Sequence, residues 1–117
     1  MTEAVAALLI MLITLAVLLR MSPRANSRFR NESRLPMQWW LDGSVNWTAP
    51  RPLALAFTPV LAALVLAAAV ISTIFLEPRR GQEHLEVPVI VALALTFITV
   101  HALHLKLMAR TLERDRR

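Results

Sequence analysis

No cysteine occurs among the 117 residues. Disulfides, thiolate metal sites and thiol nucleophiles are therefore excluded. Glycine is almost as scarce, at two residues, and there is no glycine-rich phosphate loop. Lysine occurs once, as Lys106, against twelve arginines. Charge of either sign is missing from residues 4–19, 52–76 and 87–105, runs of 16, 25 and 19 positions. All 21 charged residues fall in the other 57 positions. A water-soluble globule of this length could not bury three such runs, so an ordinary soluble domain is excluded.

What remains is aliphatic. The chain is 56% hydrophobic with only 6% aromatic residues, and its mean hydropathy is +0.54. A helix rises about 1.5 Å per residue and the hydrocarbon core is about 30 Å thick. Residues 52–76 then give roughly 37 Å, enough to cross with tilt. Residues 87–105 give roughly 28 Å and residues 4–19 roughly 24 Å, and flanking turns complete each span. The fold class expected is an all-α integral membrane protein with three transmembrane helices at 1–19, 52–76 and 85–108. A basic segment, 20–51, joins the first two helices, a short loop spans 77–84, and a basic tail covers 109–117. The first run has no basic n-region and no small-x-small cleavage site after Leu19, so it reads as a retained anchor.

Net charge is +5. The basic residues flank the apolar runs, which points to contact with anionic lipid headgroups rather than to nucleic acid. Residues 20–51 hold six of them and the C-terminal end five, against Arg79 and Arg80 in the second loop. The positive-inside rule therefore puts the N-terminus outside and the long segment and C-terminus in the cytoplasm. Pro88 falls in the first turn of the third helix, where its missing N–H costs little. Pro59 lies deeper in the second helix, so it should leave the carbonyl of Leu55 without its helical donor. Ala63 and Ala67 form a small-xxx-small pair, which fits either a packing face or an alanine-rich lipid face.

All three tryptophans, Trp39, Trp40 and Trp47, lie within nine residues of one another. Tryptophan favours the bilayer interface, with its ring in the acyl boundary and its N–H toward water. Pro36 can open a short helical turn, and Asp42-Gly43 is a turn signal. A compact hairpin or a helical turn lying on the headgroups is the expectation, with Leu35–Trp47 along the membrane surface. The segment Pro36-x-Gln38-Trp39-x-x-x-Gly43-x-Val45-Asn46 resembles the loop of SdpI-like bacterial membrane domains, with Arg51 at that pattern's basic position and Pro59 at its helical proline. The likeness covers the first two spans and the segment between them. It implies a small bacterial envelope protein acting in immunity or signalling. Gln38 replaces the family's histidine, so a protonatable role at that position is absent. Family members commonly place this loop outside the membrane, whereas the charge count here places it inside.

His101 and His104, at i and i+3, share one face of the third helix. They could bind a cofactor, or they could hydrogen-bond a neighbouring helix or headgroup. One helix cannot supply both axial faces of a haem, and His84 is far along the chain, so no metal set is expected. Asp42 beside Gln38 is turn chemistry, not an acid–base pair. The expectation is a non-enzymatic protein without a cofactor. Pro36, Gln38, Trp39, Trp40, Gly43, Trp47 and Arg51 would form a surface for a membrane-protein partner or an antimicrobial factor. The alternative is an accessory subunit of a larger respiratory or photosynthetic complex.

Overall fold

The computed structural model describes residues 2–76, 81 and 83–116. Helix α1 runs Thr2–Arg28, strands β1 and β2 are Arg34–Trp39 and Val45–Pro50, and α2 follows at once as Arg51–Phe75. A 3-10 turn at Glu83–Leu85 leads into α3, Glu86–Arg116. Each helix is long and apolar enough to cross a membrane, and the chain is a multi-pass membrane protein. Most of the large apolar side chains along the spans, such as Ile13, Leu64 and Leu95, face outward, as lipid-facing positions require. The molecule is 56 Å long. A bilayer with its headgroups takes about 40–45 Å, so one end of the bundle stands clear of the hydrocarbon.

Two helices are longer than the charge-free runs. Residues 20–28, expected in a basic loop, continue α1, and residues 109–116, expected in a tail, continue α3. The reason lies in packing. Beyond Leu19, α1 keeps one small or apolar residue per turn on its inner face, with Ala25 buried and Phe29 buried just past its last residue. In α3 the sequence Leu105, Met108, Ala109, Leu112 repeats with the i, i+3, i+4, i+7 spacing of an amphipathic helix, while the charges occupy its outer face. Of residues 77–84, read as a short loop, only Gly81, Glu83 and His84 are described, and Arg79 and Arg80 lie outside the described residues.

The segment between α1 and α2 is an antiparallel hairpin, with Arg34 opposite Pro50, Leu35 opposite Ala49, Pro36 opposite Thr48, Gln38 opposite Trp47 and Trp39 opposite Val45. The pairing is irregular on both sides of Gln38. Pro36 does not open a helical turn. It sits inside β1, where a two-stranded ribbon leaves an outer edge that needs no donor. The tip closes with Gly43 N–H donating to Trp40 O at 2.9 Å and Trp40 N–H donating to Ser44 O at 2.8 Å. Gly43 has φ +89°, a conformation that favours glycine. This is the three-residue hairpin loop in which a turn is followed by a left-handed residue.

Two cores hold the bundle. One buries Ala7, Leu66, Val70 and Ile90 within the spans. The other lies under the hairpin and joins Ala25 and Phe29 from the α1 end, Leu35, Met37 and Ala49 from the strands, Ala54 and Leu55 from α2, and Met108 from α3. The hairpin therefore lies on the ends of all three helices. The inner stripe of α2 passes through Ala54, Thr58, Ala62, Leu66 and Val70, while Ala63 and Ala67 lie half-buried at its border.

Candidate functional site

The hairpin is braced at four places, and each brace satisfies a polar group that the sequence leaves open. Arg51, the first residue of α2, reaches back to the end of α1. Its Nε donates to Asn26 Oδ1 at 2.8 Å, and its Nη1 donates to the carbonyls of Arg30 and Glu32 at 2.7 Å each. A longer contact of 3.4 Å goes to the Phe29 carbonyl. Arg30 and Glu32 lie in the turn just past α1, where their carbonyls have no helical donor, and a guanidinium there also meets the negative end of the helix dipole. This role fixes the angle between α1, the hairpin and α2.

The second brace starts from Pro59. Proline supplies no N–H to the carbonyl four residues earlier. The Ser22 hydroxyl of α1 donates to that freed Leu55 oxygen at 2.9 Å. Ser22 Oγ also lies 3.0 Å from His101 Nε2 of α3. A hydroxyl has one proton, and here it goes to Leu55, so Oγ accepts from the ring N–H of His101. Three helices thus meet at one side-chain oxygen. His101 is 1% exposed, and its Nδ1 is buried with no partner among the described residues.

The third brace is Trp39. Its indole N–H donates to Thr111 Oγ1 at 2.8 Å, and its ring stands edge-on to His104 at 5.7 Å with an interplanar angle of 89°. Trp39 also packs against the core under the hairpin. Its N–H therefore goes to α3 and not to a headgroup. The fourth brace is at the tip, where Arg114 Nη1 donates to the Gly43 carbonyl at 3.0 Å. Beside it, Asp42 Oδ1 accepts from the Ser44 hydroxyl at 2.6 Å and from the Ser44 N–H at 3.0 Å. The Ser44 hydroxyl, then the Ser44 N–H, holds the Asp42 carboxyl below its usual range.

Gln38 is a local tie. Its Oε1 accepts from Trp47 Nε1 at 2.8 Å and from Asn46 Nδ2 at 3.1 Å, both across the ribbon. A carbonyl oxygen with two lone pairs can hold both donors at once. Trp47 remains about half exposed, on the rim of a groove of about 320 Å³ lined by Met37, Phe57, Leu103, His104 and Leu107.

Of the seven residues expected to form a partner surface, the structure divides the set. Pro36 is buried in β1, Trp39 is tied to α3, and Arg51 is spent on α1. Gln38 and Trp47 bond to each other. Trp40 is 60% exposed, and its indole N–H has no partner among the described residues. Next to it, Leu41 is fully exposed at the end of the hairpin. The outward-facing apolar pair is thus Trp40 and Leu41, with Trp47 on the flank. Leu41 carries no sequence signal of its own. Ser22, Asn26, Thr111 and Arg114 are the partners that sequence reasoning missed. For Ser22 a signal existed, since Pro59 requires that some donor reach the Leu55 oxygen.

The two histidines do not converge with other ligands. No group of three or more His, Asp or Glu side chains comes together among the described residues. His104 Nε2, like His101 Nδ1, is buried with no partner there. No protein-family model, no curated protein and no solved structure matches this chain.

Proposed function

We propose that this multi-pass protein is a non-enzymatic interaction protein of the bacterial inner membrane, and that its hairpin receives a protein partner or an antimicrobial factor at the bilayer boundary. The observation that carries the reading is the Trp40–Leu41 tip. Two large apolar side chains stand exposed on a hairpin braced by Trp39, Arg51 and Arg114. A rigid element that presents exposed aromatic and aliphatic groups loses little entropy on docking, and large aromatics often dominate binding energy. The resemblance of Pro36–Asn46, with Arg51 and Pro59, to SdpI-like loops supports the same reading. We place the hairpin end in the cytoplasm, because the basic residues of α1, the hairpin and the end of α3 gather there.

A photo-crosslinking amino acid at Leu41 tests the proposal in intact cells. The expected result is one discrete protein adduct that disappears when Trp40→Ala is added. Crosslinking to lipid alone would refute it. A deletion strain screened for altered sensitivity to antimicrobial peptides then separates an immunity role from other forms of docking.

A further inference from the structure

A groove of about 520 Å³ runs between the extended ends of α1 and α3, and no hairpin residue lines it. On α1 its wall is Met21, Arg24, Ala25, Arg28 and Phe29, and on α3 it is Ala102, Leu105, Lys106, Ala109 and Arg110, with Glu113 at one end. The spacings are i, i+3, i+4, i+7, i+8 on both helices, so each helix offers one continuous face. The floor is apolar, with Ala25 and Phe29 buried in it. The rims are cationic: Arg24 and Arg28 are one turn apart on α1, and Lys106 and Arg110 one turn apart on α3. All four are exposed, and none forms an ion pair among the described residues.

The position along the bundle matters as much as the charge. The charge-free runs end at Leu19 and Leu105. The groove opens beside those residues, at Met21 and Ala102, and continues outward. It therefore starts at the hydrocarbon edge and passes through headgroup depth. We propose that this groove is a binding site for an anionic phospholipid. The lipid phosphate would lie among Arg24, Arg28, Lys106 and Arg110, and the upper acyl chain along Met21, Ala25, Ala102 and Leu105. A free phosphate would use the cations and none of the apolar floor. A zwitterionic lipid would use the floor and bring its own cation against four others. Only an anionic phospholipid satisfies both parts of the groove. The site goes beyond the docking reading above and does not depend on it.

The test uses the full chain, purified in mild detergent and stripped of lipid. Native mass spectrometry compares retention of phosphatidylglycerol and phosphatidylcholine with the same acyl chains. Each cation near an anionic headgroup contributes about fivefold to affinity. Four acting independently should favour phosphatidylglycerol by about 600-fold, a preference that falls as salt rises. The variant Arg24→Gln/Arg28→Gln/Lys106→Gln/Arg110→Gln should lose that preference. The charge-matched variant Arg20→Gln/Arg30→Gln/Arg116→Gln/Arg117→Gln should keep it. Equal retention of the two lipids by the unaltered protein would overturn the site without recourse to any variant. Equal loss in both variants would reduce it to diffuse surface charge. Displacement of the lipid by inorganic phosphate at matched concentration would reassign it to a soluble anion.

Discussion

Replacing Ser22 by alanine removes one hydroxyl and leaves two buried groups without partners. One is the Leu55 carbonyl, orphaned by Pro59, and the other is the His101 Nε2 proton. In membrane proteins a single side-chain hydrogen bond contributes about 0.6 kcal/mol on average and up to about 2 kcal/mol. Two bonds lost together should cost about 1–3 kcal/mol. The structure also says how to divide that sum. Pro59→Ala restores an N–H at position 59, which can donate to Leu55 O within the helix. In that background Ser22→Ala should cost only its His101 share, lower by about 1 kcal/mol. The assay is a double-mutant cycle read by reversible unfolding in mixed micelles. An identical cost for Ser22→Ala in both backgrounds would refute the claim that Ser22 substitutes for the donor that proline lacks. The choice of proline makes the cycle sharp, because only Pro59 changes the demand at Leu55 without touching Ser22 itself.

Three further outcomes follow from the same geometry. Trp39→Ala removes a partly buried ring packed on the core and the partner of Thr111 and should destabilise by about 2–4 kcal/mol, whereas exposed Trp40→Ala should change stability by less than about 0.5 kcal/mol; equal effects in thermal unfolding would contradict the placement of Trp39. The depressed Asp42 carboxyl stabilises the tip at any pH above its ordinary value of 3.8, and this contribution is lost as pH falls through its lower folded value. Protection of the Ser44 amide relative to its intrinsic exchange rate should fall only in that acid range, and Asp42→Asn should abolish that change. Cysteine replacements at exposed Ser27 and exposed His84 should label oppositely with a membrane-impermeant reagent, with His84→Cys reactive in intact cells; labelling of the Ser27 site there would reverse the orientation.

Local chemistry alone decides the three spans. A backbone in hydrocarbon must satisfy its own hydrogen bonds, so a long charge-free run can only be a helix. Asp42-Gly43 likewise announced its turn, and Pro59 announced a free carbonyl at Leu55. Other features depend on partners remote in the chain. Residues 20–28 and 109–116 look like solvated basic segments until Phe29, Leu35, Met37 and Met108 are packed together, and that burial is what extends both helices. The choice between hairpin and helical turn for residues 34–50 turned on the same core, since pairing Leu35 with Ala49 puts both on one buried face. Tryptophan composition predicts an interfacial belt, yet the N–H of Trp39 finds Thr111, 72 positions away. The donor that answers Pro59 comes from Ser22, 33 positions before Leu55. Sequence thus sets which polar groups lack a partner, because that follows from residue type and helix geometry. Only the packing of three helices and a hairpin sets which group supplies the missing bond, because proximity between distant residues is a property of the tertiary fold.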